Sequence, residues 1–149
     1  MHWKYTLPSP SYDRSNVHGT ILSLFQSKDP RFCTALEVIA GPKLNHVVVR
    51  DKQSAKPLNE FKVFKNKTTI IPLKEVWVQT KNPEEIWKLE EENGVKAALS
   101  VISFNKTFEK VMFYTFGFFF ICNDSATARR LSTEKKLDCV TIDGDIYWA

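Results

Sequence analysis

Apolar residues at Phe32, Ala35, Leu36, Ile39 and Ala40 follow the i, i+3, i+4, i+7, i+8 spacing of a helix with one buried side. Asp29 suits its cap, Pro30 its first turn, and Gly41 stops it. The same punctuation opens a second helix at Asn82-Pro83, where Glu84 and Glu85 face the positive end of the helix dipole, and closes it at Gly94. A third runs from Asn105 to Gly117 with Phe108, Val111, Met112 and Phe116 on one face. Shorter helical stretches are expected over 57–64 and from Ser125 to about Glu134.

Strands fill the intervals. Segments 21–25, 46–50, 69–73, 75–79, 98–104, 118–122 and 139–142 are rich in β-branched and aromatic residues, and Gly19 lies near a strand start. HVVV and FFFIC are unbroken apolar runs, the pattern of strands covered on both faces. Asp143-Gly144 between VTI and IYW predicts a two-residue hairpin turn. The order strand, helix, strand, helix, strand occurs twice, with the 82–93 helix between. The simplest architecture is a mixed α/β (α+β) fold: a single domain over 1–149 with two β-α-β-α-β halves, about 17–80 and 95–149, joined by the helix near 83–93. Right-handed crossovers are expected wherever its strands are parallel.

With 149 residues, 43% hydrophobic and 26% charged, the composition is that of an ordinary globular chain and excludes disorder or coiled coil for most of its length. The net charge of +4 permits an anionic partner without requiring one. Three unpatterned cysteines, Cys33, Cys122 and Cys139, suit a reducing compartment, and each reads as a small buried hydrophobe. The most apolar run, 111–121, is broken by Thr115 and Gly117 and falls far short of the roughly 20 residues that span a bilayer. The opening MHWKYTLPSPSYDRS has no apolar leader, so the reading is a soluble intracellular protein.

Catalytic signatures are missing from the sequence: GxxxxGK[ST], GxGxxG, GxSxG and HExxH do not occur. His2, His18 and His46 are scattered away from metal-ligand spacing. Asp143 and Asp145 around Gly144 read as turn chemistry before they read as a cation loop. Asn66, Asn105 and Asn123 each head a glycosylation sequon and read instead as turn and cap residues. Basic residues gather at Arg50, Lys52, Lys56, Lys62, Lys65 and Lys67, interleaved with Phe61 and Phe64, and again at Arg129, Arg130, Lys135 and Lys136. Such groups contact phosphates, although a plain solvated face has the same composition. Trp77 and Trp87 read as core or cover, and Trp148 as an interface anchor.

Several segments together resemble a known family. YDRSNVHGTILSLF (12–25), TALEVIAGPKLNHVVV (34–49), TTIIPL (68–73), ALSVISFNKTFEKVMFYTFGFFFICND (98–124) and CVTIDGDIY (139–147) are similar, in order and spacing, to the hinge domain of structural-maintenance-of-chromosomes (SMC) proteins. The YDRS-x-V-x-G opening, ALEVIAG and TTIIPL most resemble a condensin-type hinge. The resemblance implies a non-enzymatic pairing module of a chromosome-condensation ATPase. Such hinges lie at the far end of a coiled coil from the ATPase head, and this chain carries neither head motifs nor heptads. It further implies pairing with the hinge of a second SMC subunit, weak DNA binding with a single-strand preference, and a nuclear, chromosomal setting in a eukaryote. No cofactor, membrane or small-molecule substrate is implied.

In the family each hinge holds two subdomains related by rough two-fold symmetry, and unlike subdomains join by edge-strand addition at glycine-rich segments. Carried over to this chain, the first contact falls on Ala40, Gly41, Pro42 and Lys43, with Asn45 beginning the next strand. The second falls on the final hairpin, with Thr141, Asp143, Gly144, Asp145, Tyr147 and Trp148. The chain departs from the family at Pro42, where many members have a second glycine. It also stops at Ala149, where members continue into a glycine-rich stretch. The alternatives are a cohesin-type or prokaryotic SMC hinge, or a stand-alone nucleic-acid-binding α/β domain.

Overall fold

The structure, a computed structural model, describes residues 12–60 and 68–149. Phe61, Phe64, Lys62, Lys65, Lys67 and the predicted helical residues 61–64 lie outside them. The first half contains β1 (Val17–Thr20), β2 (Phe25–Ser27), α1 (Cys33–Ala40), β3 (Val47–Val49), α2 (Lys52–Glu60) and β4 (Ile70–Pro72). After α3 (Pro83–Asn93) come β5 (Lys96–Ala97), β6 (Ile102–Phe104), α4 (Glu109–Phe116), β7 (Phe120–Cys122), α5 (Ser125–Glu134), β8 (Cys139–Thr141) and β9 (Ile146–Tyr147).

The two halves repeat down to single hydrogen bonds. β3 pairs antiparallel with β1 and parallel with β4, and β7 does the same with β5 and β8. Asp29 and Asn105 each accept the N–H two residues on, from Arg31 and Thr107, and each starts a 3₁₀ turn leading into a helix. Asp51 and Asp124 each accept the N–H three residues on, from Ser54 and Thr127, ahead of α2 and α5. The Ser54 hydroxyl, then the Ser54 N–H, with the Arg50 guanidinium beside it, hold the Asp51 carboxyl down at about 2. α1 and α4 end on Gly41 and Gly117, whose dihedrals are 53°, −135° and 54°, −136°. Such a backbone is effectively closed to residues bearing a Cβ.

The halves meet across a local two-fold. β2 pairs antiparallel with β6, centred on Gln26 opposite Ser103, and α1 packs on α4. The core therefore has three layers. Val48 and Ile71 of the first sheet and Ile121 and Val140 of the second face a shared centre with Leu36, Met112 and Phe116. Val47 and Val49 face outward onto Ala55 and Leu58 of α2, and Phe120 and Cys122 onto Ala128 and Leu131 of α5. The continuous apolar runs are thus covered on both faces, as their pattern predicts.

Several expectations change. Segments 21–25 and 98–104 begin as 3₁₀ turns, Ile21–Leu24 and Ala98–Val101, before β2 and β6. These turns redirect the chain from its own sheet, where Ile21 N–H meets His46 O and Ala98 N–H meets Phe119 O, to the opposite half. Residues 75–79 form no strand. Val76 N–H closes a turn on Pro72 O, and Trp77 stands 85% exposed. α2 starts at Lys52, earlier than the predicted 57, because Asp51 caps it and Pro57 is accommodated inside. Asp124, not Asn123, caps α5. Gly19 lies within β1 at a bulge, where a Cβ would sit 2.7 Å from Ser23 Oγ. The last hairpin has a three-residue loop: Gly144 N–H reaches Thr141 O and Thr141 N–H reaches Asp145 O. Cys122 and Cys139 are buried, but Cys33 is exposed on the outward side of α1.

Because Gly41 and Gly117 share one conformation and a Cβ added to either would meet no atom within 4 Å, Gly41→Ala and Gly117→Ala should each lower unfolding free energy, through the dihedrals alone, by about 1–3 kcal/mol. Urea titration should find the two losses alike, within the scatter of the method.

Candidate pairing surface

The first strip follows α1. Ala40 is buried, Gly41 turns the chain with its N–H on Glu37 O, and a 3₁₀ turn, Gly41–Asn45, follows. Asn45 closes that turn rather than opening a strand, which begins at Val47. Lys43 Nζ donates to Tyr114 O at 3.0 Å and lies 4.7 Å over the Tyr114 ring. His46 Nδ1 is 2.9 Å from the Tyr114 hydroxyl. Burial, then the neighbouring Lys43 ammonium, lowers the His46 pKa, and burial raises that of Tyr114. A residue of α4 therefore grips the strip from the opposite half, leaving Pro42 and Asn45 as its outward-facing members.

The second strip is the β8–β9 hairpin. Thr141 is only 2% exposed and its hydroxyl accepts Asp145 N–H at 3.0 Å, so it holds the loop rather than presenting itself. Asp143 and Asp145 are exposed at the tip. No group of side chains suited to a metal occurs among the described residues. The tip leans on α1: a Cβ on Gly144 would lie 3.1 Å from Val38 Cγ2 and 3.3 Å from Thr34 Cγ2. Val38 sits just ahead of Gly41, so the two strips border one helix. Tyr147 lies under the Arg129 guanidinium, and Trp148, 67% exposed, meets Phe119 edge-on at 5.3 Å.

Backbone groups complete the surface. Thr141 pairs with Asp145 and Cys139 faces Tyr147, so alternation turns the N–H and C=O of Ile146 and Trp148 to the outer edge of β9. The corresponding edge of β4 differs. Pro72, which matches Thr141 in register, has no N–H to offer, and its carbonyl already takes Val76 N–H.

The basic residues do not form one patch. Arg50 pairs with Asp51 at 3.1 Å, while Lys52 and Lys56 are exposed on α2. Arg129 and Arg130 are exposed on α5, with Lys135 and Lys136 just beyond it. The sequence reading missed Tyr114 and the Thr34–Val38 seat for the hairpin. A tyrosine inside the apolar helix EKVMFYTF was the one available signal. It also misplaced Trp77 and Trp87, both of which are exposed.

The sequence matches the family described as "SMC proteins Flexible Hinge Domain" over residues 14–132. It is 33% identical to structural maintenance of chromosomes protein 2 of Saccharomyces cerevisiae, across 99% of this chain and 13% of that protein. The hinge domain of the Pyrococcus furiosus SMC protein superposes with a TM-score of 0.68 at 26% identity, covering 89% of this chain and 68% of that one. An asymmetric dimer of the Geobacillus stearothermophilus SMC hinge domain gives a TM-score of 0.75 at 21% identity, covering 89% and 54%. The chain belongs to the SMC hinge family. It spans about an eighth of the length of the curated relatives it matches. No described helix is long and apolar enough to cross a membrane.

Gly144 combines a φ of +97° with close neighbours, so Gly144→Ala should destabilise the fold by about 1–3 kcal/mol. Adding Val38→Ala should return only part of the loss, since it relieves the contact but not the dihedral. Thermal melting of the single and double variants checks this.

Proposed function

We propose that this hinge is a pairing module that joins the hinge of a second, different SMC subunit in a condensin-type complex on chromosomes. The observation that carries the reading is the outer edge of β9, with the outward backbone groups of Ile146 and Trp148 beside the exposed Trp148 ring. A partner strand there extends the second sheet by main-chain hydrogen bonds, and the indole supplies an anchor. The strip at Pro42 and Asn45 forms the flanking contact, and the two repeated halves act as its two subdomains. The relatives' name, structural maintenance of chromosomes protein 2, supports the chromosomal setting, and the ATPase activity belongs to the parts of such a protein outside the hinge.

Trp148→Pro removes an outward donor that β8 does not use, whereas Trp148→Ala removes only the ring. Sedimentation of an equal mixture with the second SMC hinge should give a mass of one copy of each. Both variants should weaken pairing, Trp148→Pro by about tenfold or more, with melting unchanged. Pairing indifferent to both would refute the β9 edge. A change at Gly41 should lower melting together with pairing, because its dihedrals end α1 and start the strip.

Weak binding of single-stranded DNA is the second reading, supported by the joint exposure of Arg129, Arg130, Lys135 and Lys136. A labelled thymidine oligonucleotide should bind in low salt and lose affinity steeply between about 50 and 200 mM. The double change Arg129→Glu, Arg130→Glu should abolish that binding. If it leaves the binding intact, the α5 face is not the contact.

A further inference from the structure

We propose that the groove between α3 and α4 docks a basic amphipathic helix of a partner protein, whose apolar anchor enters the groove while its Lys or Arg residues meet the rim. The groove holds about 290 Å³ and is floored by Ile86, Trp87, Leu99, Phe104 and Phe113. That volume falls just below the roughly 300–1,000 Å³ of small-molecule sites, and it suits an anchoring side chain better than a whole ligand. Trp87 leaves 59% of its surface in water although it sits beside an apolar floor, the arrangement of an interface anchor awaiting cover.

Charge selects the partner. Glu90 and Glu109 stand at the groove, and α3 carries Glu84, Glu85, Glu91 and Glu92 as well, against a single Lys88. This acidic helix lies in a chain whose net charge is +4, so it is a local site of opposite sign that draws a basic segment. The one lining cation, Lys81, is held 4.5 Å over the Phe118 ring. The groove shares no residue with either pairing strip, and its apolar floor between α3 and α4 can receive a helix through apolar anchors three or four residues apart.

The probe is a fluorescein-labelled, alanine-based helical peptide with two leucines on one face and flanking arginines, read by anisotropy on the whole chain. It should bind about tenfold tighter than the same peptide with glutamate in place of arginine. Trp87→Ala and Glu109→Lys, both at exposed positions, should each weaken it about fivefold or more while melting is unchanged. Equal binding of the two peptides, or basic-peptide binding untouched by both variants, overturns the proposal. So does concentration-dependent self-association that Trp87→Ala abolishes, which would assign the groove to a second copy of the chain.

Discussion

The packing of α1 against α4, with β2 laddered to β6 beside it, is the constraint on which the rest depends. Neither half closes its own core: the inward faces of both sheets and both helices contribute to one shared centre. A two-stranded ladder is marginal alone, so β2 and β6 persist because the helices beneath them bury Leu36, Met112 and Phe116. The 3₁₀ turns ahead of both strands exist to deliver the chain across this joint. Once the joint forms, each sheet needs only one outer helix, α2 or α5, to cover its remaining face.

That economy leaves large side chains of the periphery exposed. The connector between the halves carries Trp77, Trp87 and the acidic face of α3, whereas α5 carries exposed arginines. The hairpin tip, seated on Thr34 and Val38, ties the end of the second half to the first helix and fixes where β9 points. An edge held in this way by contacts within its own chain would lower the ordering cost of the pairing proposed there.

What the sequence disclosed follows the range of the chemistry involved. Helix boundaries were legible because Asp29, Asn82 and Asn105 act on N–H groups two residues away and Gly41, Gly94 and Gly117 act on their own dihedrals. The buried strands were legible because no polar residue interrupts Val47–Val49 or Phe120–Cys122. The 3₁₀ turns were not, since ILSL and ALSV have the composition of strands and turn only because the other half lies where it does. Residues 75–79 have strand composition but no neighbour that pairs with them among the described residues. The candidate surface was half visible: its glycines mark turns, but Tyr114 on Lys43 and Val38 under Gly144 are contacts between distant parts of the chain.

Pro72 gives the molecule a direction. Every open sheet has edges that invite another strand, and three of the four edges of the two larger sheets carry a block. β1 is bulged at Gly19, β4 ends in a residue without an N–H, and β5 passes at once into a 3₁₀ turn. Of the outer strands of those two sheets, β9 alone runs unbulged and without proline to an exposed end. These two sheets thus keep a single open edge between them, so a strand added at β9 would find no second one on either sheet from which a fibre could grow.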